Sequence, residues 1–181
     1  MSGIQAVIGF WFAPEHRRFW FERSDAFDRA VRDRLAGSYE RAAAGACEDW
    51  RELARGCLSL CILLDQVPRN LFRGDPRAFA TDAAALAVAR HALDQGFDRG
   101  LGQAERLFLF LPLEHSEDLA DQELCCRLTA LLDEAPEWHD YALRHRDIVA
   151  RFGRFPHRNA VLGRVSTTEE TAFLEQPGSS F

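Results

Sequence analysis

Three clusters in this sequence carry side chains able to do chemistry. The densest is Arg151–Arg164 (RFGRFPHRNAVLGR), which holds Arg151, Arg154, Arg158 and Arg164 with His157 and Asn159, and no carboxylate. A planar guanidinium binds carboxylate or phosphate through two parallel N–H donors. Gly153 lets the chain turn and Pro156 fixes its restart, so Arg154 and Arg158 are expected on a stiff backbone anchored by Phe152 and Phe155. The second cluster is Leu64–Gly74 (LDQVPRNLFRG), where Asp65 closes an apolar run and Arg69, Asn70 and Arg73 follow. A carboxylate at a helix C-terminus is disfavoured by about 0.3–1 kcal/mol, so Asp65 calls for a cation. The third is Glu114-His115-Ser116-Glu117. A histidine between carboxylates can serve as general acid or base. Ser116 reads as a helix N-cap, since no G-x-S-x-G elbow surrounds it.

Together these residues suggest one site. His115, His157, Glu117 and Asp65 are the candidates for catalytic roles. Arg69, Asn70, Arg73, Arg151, Arg154, Arg158 and Asn159 are the candidates for binding an anion. A structural reading stands beside this one: the arginines could pair with Asp65, Glu114 and Glu117 and lock the fold, since buried polar groups are usually there to be satisfied. His115, His145, His157, Glu114, Glu117 and Asp65 are of metal-ligand type. None has H-x-x-x-H, E-x-x-H or C-x-x-C spacing, so no metal and no cofactor is expected.

The elements that must position these residues read as helices. Phe19, Phe27, Val31 and Leu35 recur at helical spacing, ending at Gly37. Asp49, with Glu52 three residues on, is expected to cap a strong helix. That helix is apolar almost all round from Cys57 to Leu64, which marks it as central. It is expected to stop near Gln66, because Val67 precedes Pro68. Thr81 opens a helix to about Gln95, terminated by Gly96. Glu105–Leu111 is expected to end at Pro112. Ser116 begins a helix to about Glu134, Pro136 another closed by Gly153, and Ser166–Glu169 forms a capping box for Thr168–Leu174. No stretch alternates as a strand does. The expectation is an all-α single domain over residues 1–181 with six to seven helices, an apolar lead-in over 1–14 and a loose tail over 175–181, where Phe181 could dock.

Composition narrows the function classes. The 181 residues carry a formal net charge of −6, and all 22 basic residues are arginine. With no lysine, arginine identity alone is weak evidence of function. From Arg144 to Arg164 six arginines face one acid, giving +5, so the remainder carries −11. An acidic body with one local cationic site argues against nucleic acid and for a small anion or acidic peptide. No run reaches the ~18 apolar residues of a membrane span. Five cysteines, an odd number in apolar context, read as free thiols in a reducing, cytoplasmic compartment.

LDQVPRNLFRG, LPLEHSED (Leu111–Asp118) and RFGRFPHRN (Arg151–Asn159) together resemble the bacterial domain-of-unknown-function family 924. The likeness extends to FWF near the start, Trp50, FATDAAA and STTEETAFL, nearly the full length. It implies an all-helical fold similar to the tetratricopeptide-like superfamily, and it implies no activity.

Two functions follow as expectations. The first is a small-molecule site between helices that binds an anionic or carboxylate ligand and could do chemistry, with the three polar clusters converging. The second is a helical interaction module whose polar clusters are salt-bridge locks. A homodimer through the N-terminal aromatics is a third.

Overall fold

The computed structural model describes residues 3–179, and among them the architecture is all-α, with no strand. The apolar lead-in is itself helical: α1 spans Gly3–Trp11 and buries Val7, Ile8 and Trp11, spaced to share one face. The indole N–H of Trp20 donates to the carbonyl of Trp11 at 3.0 Å, meeting one of the acceptors a helix end leaves open. α2 spans Asp25–Ala43 and starts where Ser24 accepts the N–H of Phe27. It runs straight through Gly37, at which the sequence pattern ends. Buried Tyr39 and Ala42 extend its inner face past the glycine.

α3 (Ala54–Cys61) is central and packs against α1. It starts later than Asp49. Residues Glu48–Glu52 form a 3-10 turn that lies against α3 at Gly56, where a Cβ would sit 1.9 Å from the carbonyl of Trp50. Only glycine permits that approach.

The expected stop near Gln66 does not occur. After Cys61 the helix widens into a π turn over Ile62–Gln66 and continues as α4, Val67–Leu71. Pro68 has no N–H to give the carbonyl of Leu64. The hydroxyl of Thr81 takes that carbonyl instead, at 2.5 Å, from a segment 17 residues away. The N–H of Val67 reaches Ile62, the π register. Single π turns inside helices recur at functional sites, and this one carries Asp65.

α5 (Asp82–Asp94) packs on α3 and on the π turn, and Gly96 closes it with φ 67°. α6 (Gln103–Glu114) continues through Pro112 rather than ending there. Its C-terminal carbonyls are capped from elsewhere: the buried side chain of Gln122 donates to Glu114 at 2.5 Å and to Ser116 at 2.6 Å. α7 (Leu119–Thr129) supplies that glutamine, and α8 (Glu137–Phe152) packs on α7 and α6. The N-cap of α7 is Asp118 rather than Ser116, whose hydroxyl accepts the N–H of Asp118 and donates to Asp121. Gly153 (φ 67°) turns the chain out of α8. α9 spans Thr168–Leu174, and its capping box uses Thr167 and Glu170, one residue later than the sequence suggests.

The tail is tied down at Ser179, whose hydroxyl donates to the carbonyl of Leu174 at 3.1 Å. The expected docking of Phe181 lies outside the described residues. Among the described residues no helix is long and apolar enough to cross a membrane. All five cysteines are buried and unbridged, as their apolar context requires.

Candidate functional site

The end of the π turn, the end of α6, the middle of α8 and the turn after Gly153 meet around a cavity of about 680 Å³. Its polar lining includes Arg69, Asn70, Arg73, Glu114, His115, His145, His157 and Arg158, and its apolar lining includes Trp20, Phe79, Leu107 and Trp138. Phe21 and Tyr141, both exposed, also border it. A cavity of this size with a few polar groups converging on it is the usual form of a small-molecule site.

Asp65 stands behind the wall, fully buried. His115 Nδ1 lies 2.8 and 3.0 Å from its two oxygens, Gln66 donates to Oδ2 at 2.5 Å, and Arg69 lies 3.5 Å from Oδ1. Burial alone would push this carboxyl up. The Arg69 and His115 contacts outweigh that and hold it well below the usual carboxylate range. An ionised carboxylate only accepts hydrogen bonds, so the proton of the His115 ring sits on Nδ1 and the lone pair on Nε2. Burial lowers His115 more than Asp65 raises it, keeping the ring neutral.

Arg69 is fully used. It donates to both oxygens of Asp82 at 2.9 and 3.1 Å and to the carbonyl of Asp65 at 2.7 Å. Arg158 is different. It is buried, with its guanidinium 4.9 Å from the ring of Phe79 and 4.5 Å from that of Phe155. Its nearest carboxylate, Asp82, lies 3.5 Å away and is already bidentate to Arg69. Among the described residues its side chain makes no hydrogen bond, and its buried Nε has no partner. Burial, and then the charge of Arg69, lower it to about 10.

Glu114, the last residue of α6, is buried too. Its neighbours are the Cys125 thiol at 3.9 Å and His145 Nδ1 at 3.4 Å, and that nitrogen already bonds the carbonyl of Tyr141 at 2.9 Å. Burial, with the nearby charge of Asp65, raises the Glu114 carboxyl to about 8. Burial lowers His145 to about 3, and His157 to about 4 with the help of Arg158.

The remaining sequence candidates lie elsewhere. Arg151 pairs with Glu169 at 2.8 Å. Arg154 donates to both oxygens of Glu170 at 2.6 and 2.8 Å, and Asn159 donates to Ser166 at 3.1 Å and to Glu170 at 3.3 Å. Glu117 accepts two bonds from Arg164, at 2.7 and 2.9 Å, and the N–H of Phe155 at 2.8 Å. These contacts form a clasp: those of Glu169 and Glu170 fasten α9 to the end of α8 and the turn after it, and those of Glu117 fasten the loop between α6 and α7 to the same turn; none of the four residues lines the cavity. Arg73 does line it but is engaged by Asp28, at 2.6 and 2.8 Å. The structure therefore divides the arginine-rich stretch: His157 and Arg158 face the cavity, while Arg151, Arg154, Asn159 and Arg164 build the clasp. Phe79, Asp82 and Tyr141 entered the sequence-based reading only as parts of helices, not of the site. Asp82 falls within FATDAAA, whose only local signal is a helix start.

The fold and site define an all-helical protein with an arginine- and histidine-lined cavity between helix ends. More particularly, the chain belongs to the family described as bacterial protein of unknown function (DUF924), whose model matches residues 7–178. It is similar to the solved structure of the protein of unknown function ATU0120 from Agrobacterium tumefaciens. The two share 40% sequence identity and a TM-score of 0.90, over 95% of this chain and 96% of that one. No curated protein matches the chain.

Proposed function

We propose that the cavity binds a small molecule carrying a carboxylate or phosphate group, with Arg158 as its anchor. One observation carries this reading: Arg158 is a buried guanidinium between two phenyl rings, whose Nε finds no acceptor among the described residues and whose one carboxylate neighbour, Asp82 at 3.5 Å, is already bidentate to Arg69. A buried donor left unsatisfied costs about 1–3 kcal/mol, more if charged, so oxygens of a ligand would recover what the fold leaves open. Stacking has already fixed the plane of the group, which lowers the ordering cost of binding. The neutral rings of His115 and His157 and the amide of Asn70 supply further polar contacts. The aromatic and aliphatic walls would cover the remainder of the guest.

Thermal shift tests this on chelator-treated protein, screened against phosphate, nucleoside phosphates and small mono-, di- and tricarboxylates. At a hundredfold excess over Kd, binding stabilises by about 2.7 kcal/mol, or roughly 5–10 °C of Tm for a chain of this size. At least one anion should shift wild type and Arg154→Ala alike and leave Arg158→Met unmoved. No response to any anion, or an equal response in Arg158→Met, would overturn the reading.

The alternative of an interaction module with polar locks keeps one supporting observation. The clasp is such a lock, closed by carboxylates of the chain itself.

A further inference from the structure

We propose that Glu114, His115 and His145 form a binding site for a divalent transition metal in the wall of this cavity. One ligand atom from each of the three lies within 4.8 Å of the other two. The set is two imidazoles and one carboxylate. Zinc takes that set in sites that keep a position open for water or substrate, and iron, manganese and cobalt share it.

Three observations beyond proximity support the assignment. First, both imidazoles carry the outer partner that a metal-binding histidine usually has. His115 Nδ1 is held by the carboxylate of Asp65 at 2.8 Å, and His145 Nδ1 by the carbonyl of Tyr141 at 2.9 Å. Each contact assigns the ring proton to Nδ1, so the lone pair offered to a metal is that of Nε2; in His145 the nitrogen that lies 3.4 Å from Glu114 is Nδ1, so loading requires that ring to turn. Second, Glu114 is buried without a cation. Among the described residues its polar contacts are a thiol at 3.9 Å and a ring nitrogen at 3.4 Å that already serves a carbonyl. A buried carboxyl in such surroundings is either neutral or matched by a charge, and a dication would match it. Third, all three residues line the cavity into which Arg158 also faces. Open coordination positions would therefore meet a guest whose anionic group is held at Arg158.

A tetrahedral ion about 2.0–2.1 Å from each donor brings the donors to roughly 3.4 Å from one another. Loading therefore draws the three together by up to about 1.4 Å. The sequence hides the site because Glu114 and His115 are adjacent at the end of α6, while His145 comes from the middle of α8.

The site shares the cavity of the anion reading but does not depend on an anion. Cobalt(II) is the probe. Chelator-treated protein titrated with Co²⁺ should develop visible d–d bands that saturate at one ion per chain, and Zn²⁺ should displace them. Glu114→Gln keeps the shape of a neutral carboxyl, so its fold and apo Tm should match wild type while its Co²⁺ affinity falls on the order of 100-fold. Asp65→Asn, which acts through His115, should weaken Co²⁺ by about 10–100-fold. Absence of the bands in wild type, or bands of equal affinity in Glu114→Gln, would sink the site. The metal-free anion screen reports separately: an anion shift without Co²⁺ bands removes the metal and leaves the pocket, and Co²⁺ bands without an anion shift do the reverse.

Discussion

The molecule treats arginine in two opposite ways within one short stretch. In the clasp, each guanidinium meets a carboxylate in good geometry: Arg154 with both oxygens of Glu170, Arg164 with both of Glu117, Arg151 with Glu169. In the cavity, four residues from Arg154, Arg158 is more deeply buried and has a single carboxylate at 3.5 Å, shared with Arg69. The acids divide in the same manner. Glu170 accepts from two side chains and a backbone N–H, whereas Glu114 has no cation. The clasp is a finished electrostatic structure. The cavity keeps polar groups buried and underused, an arrangement that costs stability and that a bound guest or ion would repay. Stability and function are thereby assigned to different arginines, and substitutions should separate them.

Glu170→Ala is expected to have the largest effect on the fold. It strips the bidentate partner from Arg154, a partner from Asn159 and the capping-box acceptor from the N–H of Thr167. Losing a bidentate pair together with a capping-box acceptor should lower stability measurably. Urea unfolding should show that loss, and hydrogen exchange should show α9 opening ahead of α6, with anion response in the cavity retained. An α9 that remains fully protected in this variant would erase the distinction between the two regions.

pH should reveal the same division in two windows. Burial and Arg158 lower His157 to about 4, with His115, Glu117 and Arg69 also facing it. Between about pH 6.5 and 4 the unfolded chain takes up this proton and the folded chain does not, so stability falls as pH falls through that window. Hydrogen bonds from Arg154 and from the Thr167 backbone hold Glu170 at about 2, with Asn159 also donating to it. Its contribution is complete above about pH 4.5 and is lost as pH falls toward 2. Urea midpoints measured from pH 7 to 3 should therefore fall less steeply in the upper window for His157→Gln, where His145 and His115 still contribute, and less steeply in the lower one for Glu170→Gln. The opposite assignment would mean that His157 is not held neutral by the cavity.

Arg158→Met sharpens the contrast from the other side. A flexible apolar chain of similar length can fill the space between Phe79 and Phe155, and Asp82 keeps its bidentate partner Arg69. Because Asp82 stays paired, the replacement leaves no buried charge unmatched and removes the desolvation cost of the guanidinium. Tm should hold or rise while anion response disappears. A clear drop in Tm would assign Arg158 to the fold rather than to a ligand.

What the sequence disclosed follows from the range of the forces involved. Helical periodicity and caps are local, so the all-α class, the central apolar helix and the boundaries at Gly96, Gly153 and Thr168 were legible. The passages through Pro68 and Pro112 were not: Thr81, from elsewhere in the chain, takes the Leu64 carbonyl that Pro68 leaves open, and Gln122 caps the end of α6 beyond Pro112. The pairing of Asp65 with a cation could be inferred from its place at a helix end, and Arg69 provides it. The partition of the arginines could not. Glu169 and Glu170 read only as a helix start, and nothing local marks them as partners of Arg151 and Arg154. His145 and Glu114 stand 31 residues apart without any ligand spacing, so only the packing of α8 on α6 unites them.

The smallest expected effect tests how Arg158 is aimed. Phe79 lies 4.9 Å from its guanidinium and 5.5 Å from that of Arg69, and Phe152 stands in a like relation to Arg151 at 4.7 Å. A cation over an aromatic face gains about 0.5–1 kcal/mol, and more when desolvated. Phe79→Leu keeps an apolar wall but removes the ring face, so anion affinity should fall about fivefold, the equivalent of about 1 kcal/mol. Phe152→Leu removes the matching ring on the clasp side and should leave that affinity alone, because Arg151 is already committed to Glu169. Titration calorimetry with the best anion of the screen separates the two. Equal losses would mean that the rings act through general packing. A loss confined to Phe79→Leu would mean that the phenyl ring holds Arg158 in a fixed plane before any guest arrives.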